Sequence, residues 1–375
     1  LLRRISQFRD LSLTDDFVRQ AYGLKDTRGW KMAERRKDLA AVDGWRDHVV
    51  SCLYRPFDTR WLYYHPYMVD WGRPEVMRHM LAGENLALVT PKQHKEEFGA
   101  LATEVIGAHK SVAAYDINYY FPLYLYPESK DAEKSKTGRS RFVTMMLFEP
   151  HELYGSKRPN LNPDLVTTLT TVYGKTPTPD AIFHYIYAIL YAPAYRTKYA
   201  EFLKADFPRI PFTADAKVFR KLATLGEQLV GLHLLKSPDL DSPACRFDGE
   251  GDGHFGKDRQ TGLRYDAANK CVYINATQYF APVLESVWTY QVGGYQVCEK
   301  WLKDRKERRL ELDDIRTYCR IVTALGRTIE LQQQIDAIYP EVESNTVPMT
   351  PKEQETKTDN PTTVSTATAR KLRRG

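Results

Sequence analysis

Cysteine is scarce in this chain. The 375 residues hold five (Cys52, Cys245, Cys271, Cys298, Cys319), an odd number, widely spaced and with no CxxC. That pattern argues against a disulfide framework or a zinc ribbon and for a reducing compartment, so a cytoplasmic location is expected. No apolar run approaches the ~20 residues that cross a bilayer, and no secretory signal is present, so no membrane partner is expected. The nine histidines form no H-x3-H or H-E-x-x-H pair, and no metal site is expected. His184 and His233 fall on or beside apolar helix stripes and read as satisfied core residues. A G-x-S-x-G elbow is missing too. "GDGHFGKD" (251–258) has the glycine and lysine spacing of a phosphate loop but places Asp258 where Ser or Thr would hold magnesium, and it reads as a surface turn. Neither the Pro-Pro-aromatic loop of an amino-methylating DNA enzyme nor the Asp…Glu-x-Lys cluster of a restriction nuclease is found. The chain itself is expected to be non-catalytic and to carry no cofactor.

Charge is nearly balanced. Lys and Arg number 54 against 48 Asp and Glu, a formal net of +6. Four of the positive charges (Arg370, Lys371, Arg373, Arg374) stand at the extreme C-terminus, and without them 50 oppose 48. Any nucleic-acid surface must therefore be a local patch rather than a global field. Aromatics, by contrast, are plentiful: 12% of the chain, with 24 tyrosines. Tyrosine is amphipathic, so the excess fits both a half-buried core and a broad polar contact face.

Along the chain, residues 1–50 read as helices, with Thr14 as a cap before Asp15 and Asp16. "NLALVT" (85–90), "YYFPLYLYP" (119–127), "FVTMMLF" (142–148) and "KCVYINA" (270–276) read as strands. A polar, basic loop spans 128–141. From Thr178 the period becomes helical: Thr178 caps, Pro179 opens and Pro193 stops the first helix. "PAYRTKYAEFLKADF" is a second. The third runs through "TADAKVFRKLATLGEQLVGLHLL", with Phe219, Leu222, Leu225, Leu229 and Leu232 on one stripe. Residues 238–262 read as loop. "VGGYQVCEKWLKDRK" turns at Gly293-Gly294 into a helix, and a long helix follows "ELDD" with Ile315, Val322, Leu325 and Ile329 inward. Beyond about Glu343 there are eight threonines, three prolines and no aromatic residue, a tail that cannot bury enough apolar surface to fold. The expected class is α+β: short mixed strands, a central helical section, a C-terminal helical hairpin and a disordered tail.

Two segments stand out chemically. Between Tyr54 and Lys95, the basic residues Arg55, Arg60, Arg73, Arg78, Lys92 and Lys95 interleave with Tyr54, Phe57, Trp61, Tyr63, Tyr64, Tyr67 and Trp71. Arginine can bind phosphates or read a guanine edge, and Gln93 can pair with adenine. The plainer reading has the aromatics packing while Arg55 and Arg60 bridge to Asp58. The second segment, "EKWLKDRKERR" (299–309), contributes Lys300, Lys303, Arg305 and Lys306. It can track a phosphate backbone, or it is a solvated helix with pairs such as Glu299–Lys303.

The phrases "YRPFDTRWLYY", "PEVMRHML", "FPLYLYP", "KRPNLNP", "FHYIYAILYAPAYRTKYAEFLKADFPRIP" and "VWTYQVGGYQVCEKWLKDRKERRL" occur here in this order. Together they resemble the C-terminal specificity region of type ISP restriction–modification enzymes over roughly residues 1–342; related phrases occur in type IIG restriction–methylation enzymes. The resemblance implies a target recognition domain that partners double-stranded DNA. It would sit in a longer bacterial polypeptide whose nuclease, ATP-driven translocase and adenine-N6 methyltransferase lie upstream. S-adenosylmethionine, ATP and Mg belong to those domains, and the absent initial methionine accords with a fragment. On this reading residues 1–50 connect to the methyltransferase, 51–342 recognise DNA and 343–375 form the tail. The rival is a docking module of the same enzyme without direct base readout.

Overall fold

The computed structural model describes residues 1–69, 72–127, 157–258 and 260–348. The loop at 128–141, the strand expected at 142–148, Trp71 and the Arg370–Arg374 cluster lie outside the described residues. The fold is α+β, with small sheets packed around a helical centre.

Three short helices open the chain: α1 (Leu2–Arg9), α2 (Asp15–Tyr22) and α3 (Met32–Ala40). The Thr14 hydroxyl accepts from the Phe17 N–H at 3.3 Å, the cap the sequence predicts. These helices share a small core of their own, built from Ile5, Phe8, Val18, Met32, Leu39, Trp45 and Tyr63. Arg36 is buried among them, donating to the carbonyls of Phe8, Asp10 and Leu13 and pairing with Asp15. Its charge survives burial because every face of the guanidinium is answered.

Next comes a hairpin, β1 (Val49–Arg55) and β2 (Asp58–Tyr63), joined by Pro56 and Phe57. A second sheet has the order β4-β3-β6, from β3 (Ala87–Pro91), β4 (Leu101–Thr103) and β6 (Asn118–Pro122). The two-residue β5 (Ile106–Gly107) pairs in parallel with β1, and helix α4 (Pro74–Leu81) packs on β6. The strand expected over 119–127 is interrupted: after β6 the chain breaks and resumes as β7 (Tyr124–Leu125), which pairs with β8 (Arg158–Pro159).

The helical centre follows the caps. α5 (Pro163–Tyr173) precedes α6 (Pro179–Tyr191), which starts where Thr178 Oγ1 accepts from the Ala181 N–H at 3.2 Å. The segment expected as one helix after Pro193 divides at Tyr199 into α7 (Pro193–Lys198) and α8 (Ala200–Ala205). α9 (Ala216–His233) buries the whole predicted stripe, Phe219 through Leu232, largely against α6. The two helices meet at Gly226, where a Cβ would lie 1.9 Å from the His184 carbonyl oxygen. Gly226→Ala must therefore push the helices apart, with an expected loss of about 1–3 kcal/mol in urea unfolding.

His233, at the end of α9, is the satisfied core histidine. Its Nδ1 accepts from the Tyr187 hydroxyl at 2.6 Å, and its Nε2 donates to Thr328 Oγ1 at 2.9 Å. The Tyr187 oxygen accepts in turn from the Ala102 N–H, and Thr328 donates to the Ala324 carbonyl, which fixes the tautomer. Burial depresses the imidazole to about 3, and the Arg196 charge adds to this.

Four more strands, β9 (Arg246–Asp248), β10 (Arg264–Asp266), β11 (Cys271–Tyr273) and β12 (Tyr279–Ala281), form a sheet in the order β10-β11-β12-β9. A short helix α10 (Glu285–Trp288) leads to the tight hairpin of β13 (Gln291–Val292) and β14 (Tyr295–Gln296), then to α11 (Val297–Lys303). The last helix, α12 (Leu312–Ser344), is 33 residues long and opens with a capping box between Glu311 and Asp314. It crosses the domain and closes on the other elements: Asp336 accepts from the Ala194 N–H, Gln332 donates to the Tyr191 carbonyl, and Lys198 pairs with Glu343. After it, Asn345 to Val347 hydrogen-bond with Phe212 to Ala214, and Val347 enters the core. No helix among the described residues is long and apolar enough to cross a membrane.

Candidate nucleic-acid interface

The two basic segments, some 250 residues apart in sequence, meet around one carboxylate. Asp58 begins β2 and is 1% exposed. One of its oxygens accepts from Arg60 at 2.7 Å and the other from Arg305 at 2.9 Å. Arg305 donates through Nε to Asp314 (3.2 Å) and lies 3.4 Å from the centre of the Trp301 ring. Asp314 receives both terminal nitrogens of Arg308, at 2.6 and 2.7 Å. Burial works to raise the Asp314 carboxyl, but the Arg308 hydrogen bonds and charge outweigh it and hold it below the usual carboxylate range. Asp304 pairs with Lys300 at 2.5 Å and with Arg60 at 3.6 Å. The expected Arg60–Asp58 bridge forms; the matching one from Arg55 does not. Arg55 instead stacks on Tyr54 (4.1 Å) and Tyr295 (5.2 Å), with Arg60 on Tyr54 at 3.8 Å.

The turn that sets this geometry is unusual. Phe57 takes φ +59°, a left-handed conformation costly for a bulky residue, at the position that glycine favours in a tight turn. It is held there by burial and by edge contact with His233, ring centres 5.5 Å apart.

A direction emerges from exposure. Asp58, Asp304 and Asp314 lie inside, whereas the side chains of Arg60 (42%), Lys303 (54%) and Lys306 (62%) face water, as do Arg308 and Arg309. The inward carboxylates hold Arg60, Lys300 and Arg308 from behind, whereas Lys306 and Arg309 pair with the exposed Glu307 and Glu311. Lys303 also makes the predicted helical pair with Glu299 at 2.8 Å. Arg305 is the exception among the sequence candidates: its guanidinium points into the network and serves as a strut.

The "PKQHK" loop reaches this network through the β13–β14 turn. Gly294 packs so closely on Glu96 that a Cβ would lie 2.4 Å from the carboxylate, and Gly293 takes φ +57°. Tyr295, beneath Arg55, donates its hydroxyl to the Lys110 carbonyl at 2.8 Å. Buried His94 pins the loop, its ring nitrogen 2.7 Å from the Glu96 carbonyl. On this base Lys92 stands 3.9 Å from Asp206, and Gln93 and Lys95 are exposed with no hydrogen bond or ion pair among the described residues. Arg73 and Arg78 do not join in. Arg73 is the N-cap of α4, beside Glu75 at 3.8 Å, and Arg78 lies in its last turn, donating to the Tyr126 carbonyl at 3.5 Å. Within 251–258, the Asp258 carboxylate is occupied by the N–H groups of Gln260 and Thr261, a local turn rather than a phosphate cradle.

Sequence reasoning missed the exposed aromatic face beside this loop. There Tyr119 and Phe121 are partly exposed, and elsewhere Tyr115 and, on β2, Trp61 are largely so.

The model of the family described as "Type ISP C-terminal specificity domain" matches residues 1–334. The chain belongs to this family. No curated protein matches it in sequence. Solved structures similar to this specificity domain include the cryo-electron-microscopic DrdV–DNA complex, with TM-score 0.62 and 22% identity over 88% of this chain and 32% of that one. The ATP-dependent Type ISP restriction–modification enzyme LlaBIII bound to DNA gives 0.63 and 17%, over 88% and 21%. A nuclease-deletion mutant of the Type ISP enzyme LlaGI with a DNA substrate mimic gives 0.57 and 16%, over 88% and 25%. The specificity domain thus spans about a fifth to a third of the length of these structures.

Proposed function

We propose that this specificity domain recognises a particular duplex DNA sequence as one part of a longer bacterial restriction–modification polypeptide. The observation that carries the reading is a cluster of outward cations in which Arg60, Lys300 and Arg308 are anchored on Asp58, Asp304 and Asp314. Their heads are held from behind, so a phosphate backbone meets them already ordered. The three similar structures, each in complex with DNA or a DNA mimic, support it. Arg55, Arg60, Lys300, Lys303 and Lys306 would set the register on the backbone, with Arg73, at the start of α4, and Arg78, on it, as a second contact. Gln93, flanked by Lys92 and Lys95 on a pinned loop, is the proposed reader of a base edge. Residues 1–50 would join a preceding adenine methyltransferase, to which this domain presents the target base for extrusion. The chemistry of S-adenosylmethionine, ATP and Mg²⁺ would reside in the preceding domains, and the whole in the cytoplasm.

Selection from a random duplex pool by this chain tests the reading. Enrichment of one motif is the expected result; none, at low or moderate salt, would leave docking as the domain's role. Reversing two of the outward charges, Lys303→Glu with Lys306→Glu, is expected to weaken binding similarly across sequences. It should also reduce the slope of log affinity against log salt by about two.

A further inference from the structure

Among the described residues the sheet β4-β3-β6 ends at β6, and its outer face is aromatic. Along β6 the side chains alternate: Tyr120 is buried, while Tyr119 and Phe121 are 41% and 40% exposed. Phe207 stands nearly perpendicular to both rings, at 84° and 85°, with ring centres 5.1 and 5.4 Å away. The three rings brace one another, so little side-chain freedom is left to lose on contact with a ligand. Lys92 extends its ammonium to 5.8 Å from the Phe207 ring centre. Thr90 and Pro91, which lead into the Lys92–Lys95 loop, pair with Tyr119 and Asn118 across the sheet.

We infer that this face stacks unpaired DNA bases. The inference rests on the DNA-recognition reading above and extends it from the duplex to a strand that has left it. Every base offers a flat π-face, so fixed aromatic side chains bordered by lysines hold unpaired bases with little regard to sequence. A partner protein would also bury such a face, but the outward positions of the strand are rings alone, and the strand paired with it, β3, leads directly into the loop proposed to read DNA. Extrusion of a target base would supply such an unpaired segment.

The test uses this chain, an oligothymidine of about 15 nucleotides and a fully paired duplex, each followed by fluorescence anisotropy. Tyr119→Ala and Phe121→Ala should each weaken the oligothymidine complex at least about tenfold and leave duplex affinity unchanged. Tyr119→Leu and Phe121→Leu, which keep an apolar side chain on the strand, should weaken it as well, separating loss of a stacking face from loss of fold. Equal single-strand affinity in all four variants, or none in the unaltered chain, overturns the inference and assigns the face to a protein contact. The oligothymidine arm reads out whether or not the duplex arm does, so failure of duplex recognition is seen separately.

Discussion

Replacing Asp58 with alanine is expected to cost the domain about 3 kcal/mol, one of the larger losses open to a single substitution. The carboxylate is almost wholly buried and holds Arg60 and Arg305 together. Without it Arg305 keeps Asp314 but loses half its compensation in a place water hardly reaches. The cost comes from that stranded guanidinium more than from the lost attraction. Asp58→Asn, which keeps the shape and an acceptor oxygen, should lose less. Urea unfolding of the two variants measures the difference. Duplex binding by the folded fraction should fall as well, because Arg60 would no longer be fixed. Equal stability of Asp58→Ala and the unaltered chain would mean that the network is ornament.

The second large effect is acid lability. An imidazole in an unfolded chain takes its proton near pH 6.5, whereas folded His233 resists it down to about 3. Its contribution is fully present above pH 6.5 and is lost as pH falls from there towards 3, because only the unfolded state gains the proton. The loss from this residue approaches roughly 5 kcal/mol around and below pH 3, of which about 3 is gone by pH 4.5. His65 and His79, each lowered to about 4 chiefly by burial, act in the same direction. Unfolding free energy measured from pH 7 to 4.5 should therefore fall steeply before most carboxylates titrate. His233→Gln should be less stable at pH 7, where it breaks the link between Tyr187 and Thr328, and should show a visibly shallower slope.

What the sequence disclosed follows from the range of the forces involved. Thr14, Thr178 and Pro179 mark helix starts because capping is decided within four residues, and the α9 stripe was readable because burial repeats with the helix. The β1–β2 hairpin was not readable. Its turn uses Phe57 in a left-handed conformation that glycine or asparagine would normally mark, and distant partners, His233 against Phe57 and Arg305 on Asp58, help to hold it. The aromatic face was hidden for a different reason. In "YYFP" both sides of the strand carry rings, so alternation of hydrophobicity, the usual sign of an outward face, is absent. The segments 54–60 and 299–309 were each legible as basic and aromatic, but their meeting at Asp58 is tertiary. The same meeting turned Arg305 from a candidate contact into a strut.

Asp58 and Arg305 are separated by 247 positions. On a ribosome adding roughly 5–20 residues per second, the hairpin waits on the order of ten to fifty seconds for its anchor to be made. Until α11 and the start of α12 have left the exit tunnel, Asp58 has its near neighbour Arg60 to pair with, while its second oxygen waits for Arg305. A nascent or prematurely ended chain therefore carries the basic residues of the first segment without the geometry that aims them. The Asp58 cluster is assembled only once both segments have been made.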